Sequence, residues 1–378
     1  NQTGDTQTET QSTYTGKRSG QFEIDYAAQV TKLADYSAIP VELSSSYEVT
    51  DDSENEYLTS ILTTYGADAY KQITDRDTVE ESDYVKVDYT GYQNGEAFDG
   101  GSATGVLLDV AGNSQVGGTS FIEGFTKPVI GAKVGDTVQG DVTFPDDYSQ
   151  SSLAGQTVTF EYTIDGIYSK DPVTLADLTD EQVNTVFGSK AGVTTVADLK
   201  TQIEKDLQQN QYSAEVDQIK QYMIDNSDVT IPDDYFAARL NEYEESFKKD
   251  NLSDGQTLDD YLSTNYNMTA DDARDKWKEN LTDQIKVEFI FGLIAEKEGI
   301  EMDEDTYNSY ISYIVSASNG QMADDNAVYE YFGSGHADEG EKYLKAQFLV
   351  NRALDSVADN AKVTFNDTSS DSTQTQEN

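Results

Sequence analysis

The rhythm of apolar and polar residues changes twice along this chain. Between residues 83 and 168 apolar positions alternate with polar ones: Val85, Val87 and Tyr89 in "YVKVDYT", then Val158, Phe160, Tyr162 and Ile164 in "TVTFEYTIDGIY". "GDTVQGDVTF" adds a third such run. A period of two belongs to strands that bury one face, and the Gly clusters and "QNGE" between the runs supply turns. From about residue 174 the period becomes helical. Thr179 and Gln182 form a capping-box pattern, and Ile231-Pro232-Asp233-Asp234 reads as a helix start. Tyr212, Val216, Ile219 and Met223 make one stripe, and Phe236, Leu240, Tyr243 and Phe247 a second. Trp277, Leu281 and Ile285 follow, then Tyr307, Tyr310, Ile311 and Ile314, then Tyr343, Ala346, Val350, Ala353, Leu354 and Val357. "AKVTF" at 361–365 reads as a closing strand. Upstream, "DYSAIPVEL" is extended, and a helix opens at Thr50, buries Leu58, Ile61, Leu62 and Tyr65, and stops at Gly66. The pattern predicts an α+β domain followed by a helical one, with no tandem repeat.

Composition narrows the chemistry. The 378 residues carry 25 Lys+Arg against 71 Asp+Glu, a formal charge of −46 that repels nucleic acid and anionic membranes. With no cysteine there is no disulfide, thiolate nucleophile or zinc-thiolate site. The one histidine, His336, sits at a predicted helix start and reads as a loop or cap residue. No apolar run reaches the length of a membrane span. The Gln/Thr/Ser-rich stretches 1–20 and 366–378 cannot bury enough surface to offset chain entropy and are expected to be a disordered tether and tail. The chain begins at Asn1 rather than Met, so a trimmed start is expected.

Three segments combine: "VDYTGYQNGEAFDGG" at 87–101, "FIEGFTKPVIGAKVGD" at 121–136 and "VTFPDDYSQSSLAGQTVTFEYTI" at 142–164. Together they resemble the FKBP-type peptidyl-prolyl isomerase domain, in the trigger-factor branch to which "FPDDY…LAG" points. The resemblance implies a prolyl pocket lined by Tyr89, Phe98, Phe121, Ile122, Phe125 and Phe160, with Phe125 as its floor and Leu108 as a further wall. It implies catalytic roles for Phe98, for Asp99 at the cleft edge, and for Tyr148, whose phenol faces a substrate carbonyl. Prolyl isomerisation breaks no covalent bond. Its barrier of about 18–20 kcal/mol is lost amide resonance, so a dry, aromatic-walled cleft suits it and a base is not required. On the residues alone, Tyr89 and Phe160 are equally strand core, and Asp99 before Gly100-Gly101 is equally a turn residue. Pro128, close after Phe125, leaves the length of the expected short helix open.

The flanks extend the resemblance. "IPVELSSSYEVTDDSENEYLTSILTTYG" is similar to the linker segment of trigger factors, and "LTDEQVNTVFGSKAGVTTVADLKTQIEKDLQQ" to the start of their helical domain. The family's basic ribosome-docking loop is not found; "TGKRSG" at 15–20 lacks its Phe. The expected organisation is a tether (1–20), a linker segment packing with the helical domain (21–82), an FKBP-like isomerase domain (83–169), a helical chaperone domain (170–365) and a tail (366–378). The expected fold class is α+β, an FKBP-like antiparallel sheet with a short helix attached to a mostly α-helical chaperone domain. The expected function is a prolyl isomerase and chaperone for unfolded or exported polypeptides. No metal, cofactor, nucleic acid or ribosome partner is expected, and a lipid anchor upstream of Asn1 would hold the protein at the outer cell surface. The alternatives are a holdase without turnover and a peptide-binding or adhesive surface protein.

Overall fold

The computed structural model describes residues 14–366. A 3-10 turn (Ser19–Gln21) leads to α1 (Tyr26–Gln29), β1 (Val30–Lys32), β2 (Pro40–Ser44) and α2 (Asp51–Thr64). Strands β3 (Tyr70–Gln72), β4 (Tyr84–Gln93), β5 (Glu96–Asp109), β6 (Ser114–Gln115), β7 (Thr137–Thr143) and β8 (Thr157–Pro172) follow. Helices α3 (Asp180–Ala191) and α4 (Val196–Asn226) precede a short β9 (Asp228–Val229). Then come α5 (Asp233–Asn251), α6 (Leu258–Tyr266), α7 (Ala270–Glu298), α8 (Glu304–Ala317), α9 (Asp325–Phe332), α10 (Ala337–Ala358) and β10 (Lys362–Asn366). The chain forms two compact units, Glu48–Gln209 and the remainder.

In the Glu48–Gln209 unit the sixteen-residue β8 is the central strand. One edge pairs antiparallel with β4; the other takes β7 on its first half and β3 at its end. Strands β4 and β5 form a hairpin through Asn94 (φ 53°) and Gly95 (φ 84°), the two positive-φ residues that match strand twist in a two-residue turn. The alternation in the sequence is the alternation of burial: Val85, Val87, Val158, Phe160, Tyr162 and Ile164 all face the core. The expected short helix is a 3-10 turn at Lys127–Val129, and Pro128 packs where Gly140 leaves room. A Cβ on Gly140 would lie 2.2 Å from the proline Cγ.

The sheet begins earlier than residue 83. Val79 is in its core, and the buried Asp83 carboxylate holds the Arg76 guanidinium with contacts at 2.8 Å and shorter. The segment 21–82 does not pack as one piece with the helical domain. Helix α2 buries Leu58 and Leu62 against Val183 and Phe187 of α3 and Leu199 and Ile203 of α4. Residues Ile39, Val41 and Leu43 instead enter the other unit's core, where β2 pairs parallel with β10. A helical stripe names the buried face of α2 but not the partner that covers it, so periodicity left this division open.

The core of the other unit lies between the second half of α4, α7 and α10, with Ile219, Met223, Ile285, Phe289, Ile290, Ile294, Ala353 and Leu354 inside. Helix α5 differs from its predicted stripe. Tyr243 is 46% exposed, whereas Tyr235, Ala238 and Arg239 are buried. Arg239 is kept inside by Glu288, whose carboxylate accepts from Nη1 at 2.7 Å and Nη2 at 3.0 Å. Charged residues at helical spacing look solvent-facing until their partner is known. His336 precedes α10 as expected, and its side chain does not cap the helix.

The expected disorder of 1–20 is corrected for residues 14–20, which make ordered contacts with this unit; 1–13 lie outside the described residues. Arg18 and Ser19 find carboxylate partners on distant helices, which composition cannot reveal. The expected tail beyond Asn366 also lies outside the described residues, and Asn366 itself ends β10. Among the described residues no helix is long and apolar enough to cross a membrane.

Candidate active site

The hydrophobic core of the sheet opens toward solvent at one set of aromatic rings. Phe125 and Phe160 are buried at 2% and 3% exposure; Tyr89, Phe98, Phe121, Ile122 and Tyr148 are half-buried around them. Ring centroids lie 5.1 Å apart for Tyr89 and Phe125, 4.9 Å for Phe125 and Phe160, and 5.9 Å for Phe98 and Phe160, all edge-to-face. Phe121 stacks on Phe125 at 4.2 Å. Phe144 links the two ends of the group, 6.2 Å from Phe98 and 4.6 Å from Tyr148. Four separate segments therefore deliver one continuous aromatic wall: β4, the start of β5, the loop at 121–125, and β7–β8 with their connection.

The three residues expected to be catalytic lie at the exposed side of this group. Asp99 is solvent-exposed on β5, and among the described residues no group hydrogen-bonds its carboxylate. Among the described residues the Tyr148 hydroxyl likewise has no hydrogen-bond partner, so it is placed to donate to a ligand. Phe98 lies between Phe144 and Phe160. Leu108 is corrected: it is 0% exposed, opposite Val85 in the β4–β5 ladder. Its alternation phase points it into the closed core, so it supports the site from beneath and does not reach a ligand.

Backbone and hydrogen bonds fix the rings. Glycine is required at 91 and 101, because a Cβ at Gly91 would lie 2.6 Å from the Phe98 ring, and one at Gly101 would lie 2.5 Å from it. The Tyr162 hydroxyl donates to the Phe125 carbonyl at 2.6 Å. Burial raises the phenol pKa of both Tyr162 and Tyr89, so both remain neutral donors.

Asn113, with φ 47°, organises the loop that carries Phe121 and Ile122. Its Nδ2 donates to both of their carbonyls, at 3.1 and 2.9 Å, and its Oδ1 accepts from the Thr126 amide at 3.1 Å. Asn113, Phe144 and Tyr162 went unassigned in the sequence. Tyr162 and Phe144 lie on alternating strands and read as plain core. The one signal at Asn113 was its Gly-Asn-Ser context, which marks a turn and not what the turn holds.

The arrangement offers apolar surface, edge-on rings and phenol donors. Among the described residues no group of three or more acidic or histidine side chains could hold a metal ion. This is equipment for binding and desolvating a neutral group rather than for acid–base or nucleophilic chemistry.

Comparison with known proteins agrees with that chemistry. Residues 76–165 match the family described as FKBP-type peptidyl-prolyl cis-trans isomerase, and residues 195–364 match the bacterial trigger factor C-terminus. The trigger factor of Bacillus cytotoxicus is 27% identical over 349 residues, covering 89% of this chain and 75% of that one. That of Shouchella clausii is 26% identical, covering 88% and 72%. That of Agathobacter rectalis is 29% identical over 294 residues, covering 77% and 61%. The chain thus carries an FKBP-type isomerase domain followed by a trigger factor C-terminal domain, and its similarity to trigger factors runs through both.

Proposed function

We propose that this protein is a foldase that acts outside the cytoplasm, in which the aromatic wall around Phe125 turns prolyl bonds while the helical unit holds non-native chain. Peptidyl-prolyl isomerase and chaperone activity belong to its domains. In the reading advanced here, Phe125 and Phe160 floor the prolyl pocket, with Tyr89, Phe98, Phe121 and Ile122 as walls. Tyr148 donates to the substrate carbonyl, and the Asp99 carboxylate lies beside the twisting amide. A planar amide is more polar along C–N–O than a twisted one, so transfer from water into an apolar cleft costs the ground state more than the transition state.

The observation that carries the reading is the convergence of Tyr89, Phe98, Phe121, Phe125 and Phe160 on one partly open cluster. The test is cis–trans exchange of a proline peptide measured by NMR magnetisation transfer with catalytic protein. Acceleration that falls with Phe98→Ala supports the reading; none at high protein concentration overturns it. One observation favours a second reading, a holding domain without turnover: Phe121 covers a face of the Phe125 ring at 4.2 Å. The same assay separates the two.

The proposed lack of ribosome docking, and with it a place outside the cytoplasm, is supported by the charge of −46, which opposes contact with ribosomal RNA. Fractionation of cells expressing the full gene tests them. Recovery with the membrane or medium is expected, and recovery with cytosolic ribosomes would reject them.

A further inference from the structure

Residues 17–24 form a strap across the helical unit. The Arg18 guanidinium grips both oxygens of Glu339 on α10, with Nε to Oε2 at 2.9 Å. The Ser19 amide donates to Glu242 on α5 at 2.7 Å. The Phe22 ring meets Tyr235 edge-on at 5.6 Å, and Lys342 donates to the carbonyls of Gly20 and Phe22 at 3.3 and 3.1 Å. The strap lies flat because residue 20 is glycine: a Cβ there would fall 2.6 Å from the Glu339 Cβ. These are the contacts of a bound peptide, with backbone carbonyls capped, a basic residue paired and an aromatic one docked.

The strap borders a cavity of about 610 Å³ within the same unit. The buried Arg239–Glu288 pair lies in its wall. Tyr243, Tyr331 and Phe332, at 46%, 50% and 38% exposure, also line it, three of the eight large apolar side chains exposed among the described residues. Exposed aromatics gathered at one cavity mark a contact surface. In the strap's main charge contact the Arg18 side chain is 39% exposed, so salt screens the pair in part, while Glu339 is only 12% exposed and the two-oxygen grip adds strength. The strap is therefore held well enough to be seated and loosely enough to yield.

We propose that the strap is a cis-occupant of a polypeptide groove on the helical unit, and that client entry requires its release. The groove takes an extended segment of non-native chain with a basic residue four positions before an aromatic one, as Arg18 precedes Phe22. Glu242 and Glu339 supply the complementary charge. The proposal rests on the chaperone reading above and adds its regulation.

The cysteine-free chain makes a clean test. Gly20→Cys with Glu339→Cys introduces the only two thiols, whose Cβ atoms reach disulfide distance after a shift of about 1 Å. The probe is a fluorescein-labelled peptide with the sequence of residues 15–24, read by anisotropy with full-length protein. Arg18→Ala should bind it at least tenfold more tightly than wild type. The oxidised double variant should bind at least tenfold more weakly than the same variant reduced with dithiothreitol, a comparison that controls both for folding and for the loss of the Glu339 carboxylate. Equal affinity in the wild-type, opened and locked forms overturns the proposal. Suppression of aggregation of a denatured model protein is measured alongside. Equal suppression by all three forms overturns the strap's role and leaves the chaperone reading standing, whereas no suppression by any form overturns both.

Discussion

The Tyr162 hydroxyl on β8 donates a 2.6 Å hydrogen bond to the main-chain carbonyl of Phe125, with both groups buried. It ties Phe125, the floor ring of the proposed prolyl site, to the central strand of the sheet. Tyr162→Phe leaves that carbonyl without a partner in a place water does not reach. The expected loss is about 1–3 kcal/mol in denaturant unfolding of the isomerase domain, together with lower isomerase activity. Unchanged stability would mean that the carbonyl finds another donor and that the bond does not anchor the site.

Gly101 has a second consequence for the same site. Gly101→Ala puts a methyl group 2.5 Å from the Phe98 ring as it now lies, so the ring must leave its present seat beside Phe160 and Phe144. Prolyl isomerase activity should fall at least tenfold, while suppression of aggregation by the helical unit stays at the wild-type level. Loss of both in parallel would contradict separate sites for turnover and holding.

Asn113→Ala removes the donors to the Phe121 and Ile122 carbonyls and the acceptor for the Thr126 amide. The loop should loosen without collapse of the sheet. Amide hydrogen exchange should rise at 121–126 and stay protected in β4 and β8, and kcat/KM should fall. Exchange rising across the whole domain would assign Asn113 to stability rather than to positioning.

Acid should act on the helical unit through Glu244. The guanidinium of Arg274 and the ammonium of Lys248 hold its carboxyl at about 2, below the usual carboxylate range. Because the folded pKa is the lower one, the stabilisation is present above about pH 4.5 and is lost as pH falls toward 2, on the order of 3 kcal/mol in all. Urea unfolding between pH 6 and pH 2 should show that slope in the wild type and a shallower one in Glu244→Gln. Identical slopes would place the acid sensitivity elsewhere.

The sheet, the capped helices and the aromatic residues that cluster at the candidate site were legible because each leaves a local trace. Val85, Val87 and Val158 to Ile164 alternate, and Thr50 and Thr179 cap the helices that their spacing announces. The features that escaped depend on partners far away in the chain. Leu108 alternates like a pocket wall but faces the closed core. Arg239 is buried only because Glu288 is there. The basic "TGKRSG" is polar enough to read as free chain, yet Arg18 and Ser19 meet carboxylates more than two hundred residues away. The split of 21–82 among three cores escaped for the same reason: amphipathicity says that a face is covered, not by what.

The central claim is that these clustered rings bind a prolyl amide most tightly when it is twisted. It is tested most directly by magnetisation exchange between the cis and trans signals of an Xaa-Pro peptide, with wild type and Phe98→Ala compared at equal concentration. The account predicts clear acceleration by wild type and at least a tenfold smaller effect from the variant, with unfolding midpoints shifted far less than activity. Equal rates from the two proteins, or no acceleration by either, would contradict it.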